Sequence, residues 1–280
     1  MREPRQLRLC AAMHLDEWKL SLARIIVLRA SRHGANMTGC TGMETMKPMT
    51  IGMIDGMSWE SSAEYYRLAN ELVKERLGGW HSARCVLYSV DFAEIEAMQV
   101  AGQWDRAGEV LAEAGRCLER AGADVLLLCT NTMHNVADQI VAAVDIPLLD
   151  LRDVTAGAID AVGLHRVGLL ATAYTMEQSF YRDRLASHGL DVVVPNPEDR
   201  AAVHQIIFAE LCLGIVSEQS RSVCKGVIGL VADSCESIIL GCTELELLIG
   251  ASDSPVPIFP TTRLHVEAAL DRVLWTEQLC

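Results

Sequence analysis

The chain has 280 residues, half of them hydrophobic and 22% charged, with a formal net charge of −13. That length suits one large domain or two small ones with a buried core, and the composition is ordinary for a soluble globular protein. The negative charge argues against nucleic acid or an anionic membrane surface as the main partner, and no apolar stretch approaches the ~18–20 residues that span a bilayer.

The first 48 residues read differently from the rest. A short amphipathic stretch, Leu15 to Leu28, is interrupted by Asp16, Glu17, Lys19 and Arg24, and a polar Gly- and Met-rich segment follows from Ser31 to Pro48. Its apolar core, Ile25–Leu28, is too short for a signal segment, so export is not expected. From Thr50 the pattern predicts alternating strands and helices, hence an α/β fold with parallel sheets. A strand at 50–54 meets a loop at Asp55–Ser58, then a helix over 59–77 closed by Gly78-Gly79. Strand 84–90, helical segments at 94–99 and 103–121, strand 124–128 and a helix over 132–143 complete the first half. The second half repeats the theme. It predicts strand 166–170, a loop at 171–173, helix 174–188, strand 191–194, helices 198–213 and 217–232, strand 237–240, strand 257–259 and helix 262–275. The break between halves is expected at 150–163. The expected organisation is an N-terminal flexible extension (1–49), a first lobe (50–150) and a second lobe (151–280) whose C-terminal helix packs back on the first.

Ten cysteines are scattered along the chain, several inside apolar runs (Cys85, Cys212, Cys235), and no two form a Cys-x-x-Cys pair. A disulfide framework, a thioredoxin-type motif and a zinc ribbon are therefore unsupported, and the reducing cytoplasm is the expected compartment. Two cysteines stand apart. Val125-Leu126-Leu127-Leu128-Cys129-Thr130-Asn131-Thr132 and Ser237-Ile238-Ile239-Leu240-Gly241-Cys242-Thr243-Glu244 are matching strand–Cys-Thr–helix units. A single Cys after an aliphatic strand is usually a small buried hydrophobe; the repetition shifts the balance toward function. Parallel sheets bind ligands beyond the carboxyl ends of their strands, and a thiol at a helix N-terminus is expected to have a lowered pKa. Thr130, Asn131 and Thr243 also suit helix caps, and Thr243-Glu244-Leu245-Glu246 fits a capping box. The histidines His134, His165, His204 and His265 show no metal-ligand spacing, so no metal site is expected.

The segment Gly56-Met57-Ser58-Trp59-Glu60-Ser61, then Tyr65-Tyr66-Arg67-Leu68, then Leu128-Cys129-Thr130-Asn131-Thr132-Met133-His134 resembles the aspartate/glutamate racemase family, nearest its broad-spectrum, cofactor-independent amino-acid racemase branch. Thr175-Met176-Glu177-Gln178, Glu210-Leu211-Cys212-Leu213-Gly214 and Gly241-Cys242-Thr243-Glu244-Leu245 extend the resemblance over roughly Thr50 to the last helix. It implies two pseudo-symmetric three-layer lobes with the active site between them, no pyridoxal phosphate or other cofactor, and Cys129 and Cys242 as the catalytic pair. The substrate-binding motifs fall on Met57, Ser58, Gln99, Thr130, Asn131, Thr132, Thr172, Thr175 and Thr243. The chain departs from the family pattern at Asp55, Asp150 and Pro260, and Glu244 stands where glutamate racemases carry a His. Asp55 and Glu244 are candidates for tuning the thiol protons.

The expected activity is inversion of the α-carbon of a free amino acid by two-base proton transfer between the cysteines. The substrate range is broad or aspartate/glutamate-like, and a homodimer is compatible with the reading. Gripping a side-chain carboxylate would need a basic residue, for which Arg152 and Arg200 are the candidates. The alternatives are a related cleft enzyme acting on small dicarboxylates, as a decarboxylase or isomerase, and an amino-acid-binding protein that has lost turnover.

Overall fold

The computed structural model describes residues 49–278. The N-terminal segment 1–48, including the amphipathic stretch Leu15–Leu28, lies outside the described residues. Along the first half run β1 (Ile51–Asp55), α1 (Trp59–Leu77), β2 (Cys85–Ser89), α2 (Phe92–Val100), α3 (Trp104–Arg120) and β3 (Val125–Leu128). A 3₁₀ turn (Thr132–Val136), α4 (Ala137–Val141), β4 (Leu148–Leu149) and α5 (Leu151–Asp160) follow. The second half holds β5 (Arg166–Ala171), α6 (Ala173–Glu177), α7 (Ser179–Ser187), β6 (Asp191–Val193), α8 (Pro197–Ala209), a 3₁₀ turn (Leu211–Leu213) and α9 (Glu218–Ala232). It ends with β7 (Ser237–Gly241), α10 (Thr243–Leu248), β8 (Ile258–Pro260) and α11 (Thr261–Gln278).

Among the described residues eight strands form two separate four-stranded parallel sheets, ordered β2-β1-β3-β4 and β6-β5-β7-β8. The second order is the first repeated. The central strands β1, β3 and β7 are buried at every position and β5 at all but its first. They are covered on both faces, and this is why the sequence shows aliphatic runs here instead of alternation. In each sheet the chain leaves its first strand toward one edge and returns on the other side. The order in which strands are added therefore reverses between β1 and β3, and again between β5 and β7, while all strands stay parallel. Crevices at such points are where open α/β sheets bind ligands. Register pairs Ile54 with Leu128 and Ala171 with Gly241, so Cys129 and Cys242 emerge at the two equivalent crevices.

The helices that cover the first sheet come from both ends of the chain. On one face Tyr65, Leu68, Ala69, Leu72 and Val73 of α1 pack with Val266, Ala269, Leu270 and Val273 of α11 over Ile51, Met53, Val125 and Leu127. On the other face Ala107, Leu111, Ala114 and Leu118 of α3 cover Ile54, Leu126 and Leu128. The second sheet is filled by α8 and α9 through Val203, Ile206, Ile207, Val227, Ile228 and Val231. Among the described residues no helix is long and apolar enough to cross a membrane.

The structure departs from the sequence expectation in four places. The stretch 132–143 is not one helix: a 3₁₀ turn precedes α4, and the His134 ring bonds the Thr130 carbonyl in the same turn. The predicted helix 174–188 is broken at Gln178, which takes extended backbone while its side-chain oxygen accepts from Asn135. Helix α8 stops at Ala209 because Glu210 turns away, its carboxylate accepting from the Ser217 and Ser220 hydroxyls at the start of α9. The expected break at 150–163 contains α5, capped by the Asp150 side chain on the Arg152 N–H.

Two buried imidazoles tie these parts together. His134 donates from Nδ1 to the Thr130 carbonyl (2.7 Å) and accepts from the Leu151 N–H (3.2 Å). His265 donates from Nε2 to the Leu149 carbonyl (2.8 Å) and accepts from the Tyr65 hydroxyl (3.0 Å). Burial lowers their pKa values to about 4 and about 3. The folded values lie below the unfolded value of ~6.5, so the unfolded chain binds more protons at acid pH. The stability each contributes is complete above ~6.5 and is lost as pH falls toward the folded values, at up to ~1.4 kcal/mol per pH unit. His265→Gln keeps one donor and one acceptor but does not titrate. Thermal melts between pH 6.5 and 4 are expected to fall less steeply for this variant than for the native chain; parallel slopes would remove His265 from the acid response.

Candidate active site

Between the two crevices lies a tight cavity of about 30 Å³, room for little more than water. Met57, Gln99, Thr130, Asn131, Thr132, Thr172, Cys242, Thr243 and Glu244 all line it. Cys129, Asp55, Ser58 and Thr175, the other expected site residues, stand directly behind this lining. Cys129 is 1% exposed and does not reach the cavity surface.

The loop after β1 positions the first-lobe groups. Gly56 has φ 96°, and a Cβ there would lie 2.3 Å from the Val90 carbonyl oxygen, so only glycine fits. The Gly56 N–H donates to the Ser62 hydroxyl, which donates in turn to the Ser58 carbonyl. Ser58 caps α1 and donates its own hydroxyl to Glu244 Oε1 across the cleft at 2.8 Å. Thr132 bridges the lobes similarly, 2.9 Å from Thr172 Oγ1 and 3.1 Å from Thr175 Oγ1. Asn131 donates to Thr261 and accepts from the Tyr181 hydroxyl. Thr243 accepts from the Thr262 hydroxyl. Gln99 donates to the Met133 sulfur, and its buried Oε1 has no partner.

Each cysteine has a carboxylate beside it. Asp55, at the end of β1, is fully buried next to Cys129, and neither of its oxygens has a well-formed hydrogen bond. Burial raises its pKa to about 6, against the opposing pull of the Ser62 hydroxyl and the Cys129 thiol. Cys242 donates its thiol proton to Glu244 Oε2 at 2.9 Å. The expectation of thiols acidified by helix N-termini is corrected here. Both thiols lie well above the ordinary thiol value, through burial first and the neighbouring carboxylates second. Cys129 leads into a turn instead of an α-helix, and α10 behind Cys242 is only six residues long. The capping box at Thr243 is also absent: Cys242 is the cap residue, and Glu246 accepts from the Thr262 N–H.

The basic candidates are elsewhere. Arg152 is buried in a paired contact with both oxygens of Asp150 and reaches the Phe180 carbonyl. Arg200 is held by Glu177 and the Pro195 carbonyl. Neither lines the cavity. Six lining residues were not anticipated: Ser61, Phe92, Ile207, Phe208, Cys212 and Gly241. Cys212 sits in the quoted Glu210–Gly214 run, read there as an apolar stretch, yet it is half-buried and its thiol faces Glu244 Oε1 at 3.7 Å. Phe92 and Phe208 meet from opposite lobes with ring centroids 6.1 Å apart; an isolated aromatic carries no sequence signal for such a contact. Among the described residues no group of three or more His, Cys, Asp or Glu is placed to hold a metal ion.

Comparison with known proteins agrees with this architecture. A putative Asp/Glu racemase from Yersinia pestis is 51% identical, with a TM-score of 0.75, covering 81% of this chain and 99% of that one. An aspartate racemase homologue from Pyrococcus horikoshii is 32% identical, with a TM-score of 0.70 over 80% of this chain and 98% of that one. A broad specificity amino-acid racemase from Bacillus subtilis is 23% identical over 157 residues, 56% of this chain and 68% of its own length. The family model for Asp/Glu/hydantoin racemases matches residues 54–269, and the chain belongs to that family.

Proposed function

We propose that the chain is a pyridoxal-independent racemase that inverts the α-carbon of a free amino acid, with Cys129 and Cys242 exchanging protons from opposite sides of the substrate. The observation that carries the reading is the duplication. Each lobe delivers a thiol to the same crevice of the same sheet order, and each thiol has its own buried carboxylate. The hydroxyls of Thr130, Thr132, Thr172 and Thr243, with the N–H groups of their turns, suit the substrate carboxylate, and Gln99 Oε1 suits its ammonium. The proposed ligand is a free amino acid, and the unpaired cysteines among the described residues suit a reducing compartment such as the cytoplasm.

In one direction Asp55 takes the Cys129 proton as the positive ammonium group arrives. The Cys129 thiolate removes the α-hydrogen, leaving a carbanion-like centre. Cys242 gives its proton to the other face and becomes thiolate beside Glu244. The enzyme is then one proton richer at Asp55 and one poorer at Cys242, and it resets through solvent or by running in reverse with the roles exchanged. A thiol is far more acidic than an α-hydrogen, so acid–base positioning at ~10²–10⁴-fold supplies only part of the rate. The hydroxyls and N–H groups around the substrate carboxylate must stabilise the developing charge in a dry cleft. Cys129 is reached when the lobes part, which requires the Ser58–Glu244 and Thr132–Thr172–Thr175 contacts to open.

Cys129→Ser and Cys242→Ser are each expected to lower racemisation by about 10³-fold or more. Each should retain solvent deuterium exchange at the α-carbon of one enantiomer only, read by mass spectrometry and chiral chromatography. Near-native racemisation by either variant would sink the two-thiol mechanism.

Asp55 must be ionised to accept the Cys129 proton. The expected kcat/KM therefore rises with pH through a limb near 6, the value that burial gives Asp55. Asp55→Asn should lose both this limb and ~10²–10⁴-fold of the rate. A limb near pH 6 that survives in the variant would belong to another group.

A further inference from the structure

The cavity lining has a polar part and an apolar part. The Thr132 and Thr172 hydroxyls meet in one, and in the other the rings of Phe92 from α2 and Phe208 from α8, with Ile207 beside it in sequence, make a contact contributed by both lobes. Among the described lining residues there is no Lys, Arg or His; the single charged one is Glu244. The neighbouring depressions that open past Phe92, Cys212 and Leu213 add Glu60, Asp91 and Glu96, again with no basic residue on their walls. The two arginines that sequence offered for a side-chain carboxylate are committed to Asp150 and Glu177. A second carboxylate on the substrate would be stripped of water with no cation to meet it and would face Glu244.

Building on the racemase reading above, we propose that the substrate's side chain carries no negative charge and lies against Phe92, Ile207 and Phe208, so that aspartate and glutamate are rejected. Uncharged side chains of medium length, such as those of methionine and leucine, fit the wall. Lysine and arginine meet carboxylates at the mouth and rank ahead of the dicarboxylic pair. An unpaired buried charge costs enough to set the two classes about 100-fold or more apart in kcat/KM.

The test is α-proton exchange and racemisation by the full chain in deuterium oxide. Methionine, leucine, lysine, arginine, aspartate and glutamate are each supplied as both enantiomers. Methionine or leucine leading aspartate and glutamate by about 100-fold supports the proposal. Aspartate or glutamate leading, or lying within about tenfold of methionine, overturns it while leaving the racemase reading intact. Absence of exchange with every amino acid overturns the racemase reading itself. Phe208→Arg places a cation in the apolar part and is expected to raise the glutamate-to-methionine ratio of kcat/KM by at least ~10-fold. Phe92→Arg, on the half-buried partner ring, reads the same property from the other lobe should the first variant fail to fold. An unchanged ratio in a folded variant would remove the aromatic pair from side-chain recognition.

Discussion

Two carboxylates buried beside two thiols, with no cation among the described residues of the cavity wall, are the constraint around which this structure is arranged. Burying a charge without a partner is costly, and proteins normally answer with an ion pair or by shifting the proton. Asp55 shows the second response, its pKa raised to about 6. Glu244 is met instead by hydroxyl and thiol donors, Ser58 from the first lobe and Cys242 from its own. The same carboxylate therefore holds the Cys242 thiol and joins the two lobes. Among the described residues neither carboxylate has a cationic partner, and in the proposed mechanism the substrate ammonium group supplies that charge.

The lobes repeat a fold without repeating its chemistry. Extending the strand register places Asp55 opposite Cys129 and Thr172 opposite Cys242. The second lobe thus has a threonine where the first has its acid, and recruits a carboxylate from two residues beyond the cysteine. Asp55 comes from a neighbouring strand and is held rigidly by the sheet. Glu244 comes from the first turn of a short helix and is tied to a residue that moves with the other lobe. Under the proposed mechanism an opening of the cleft would therefore act on the proton partner of Cys242 more directly than on that of Cys129, and the two half-reactions need not share one pH dependence.

The sequence made the strand framework legible because parallel central strands are buried on both faces and read as uninterrupted aliphatic runs. Cys129, Cys242 and most of the threonine lining were legible for a related reason: they follow those strands directly, so strand position fixes where they emerge. Helix interruptions were not. The breaks at Gln178 and Glu210 depend on partners (Asn135, and Ser217 with Ser220) that only folding brings close. Helix α5 was passed over because its mixed composition between Asp150 and Gly163 reads as a linker until the second sheet gives it something to cover. The thiol pKa values went the opposite way from the helix-terminus argument, since burial is a property of the whole fold and outweighs the ends of short helices. Phe92, Ile207 and Phe208 had no local mark at all.

This division has a chemical consequence. The groups proposed to act on the α-carbon and its carboxylate come from strand ends, where the sheet register sets their positions and tolerates little change. The groups proposed to meet the side chain come from α2 and α8, helices whose cavity-facing residues can be exchanged without disturbing a strand. A family built on this plan can keep one proton-transfer apparatus and vary its substrate through a few helical positions. The same reasoning makes a family name that carries aspartate and glutamate a poor guide to substrate where no basic residue reaches the wall. Among the described lining residues the single charge is that of Glu244 and two aromatic rings meet across the lobes, so under the proposed reading the strand ends carry the proton transfer while the helices carry the choice of amino acid.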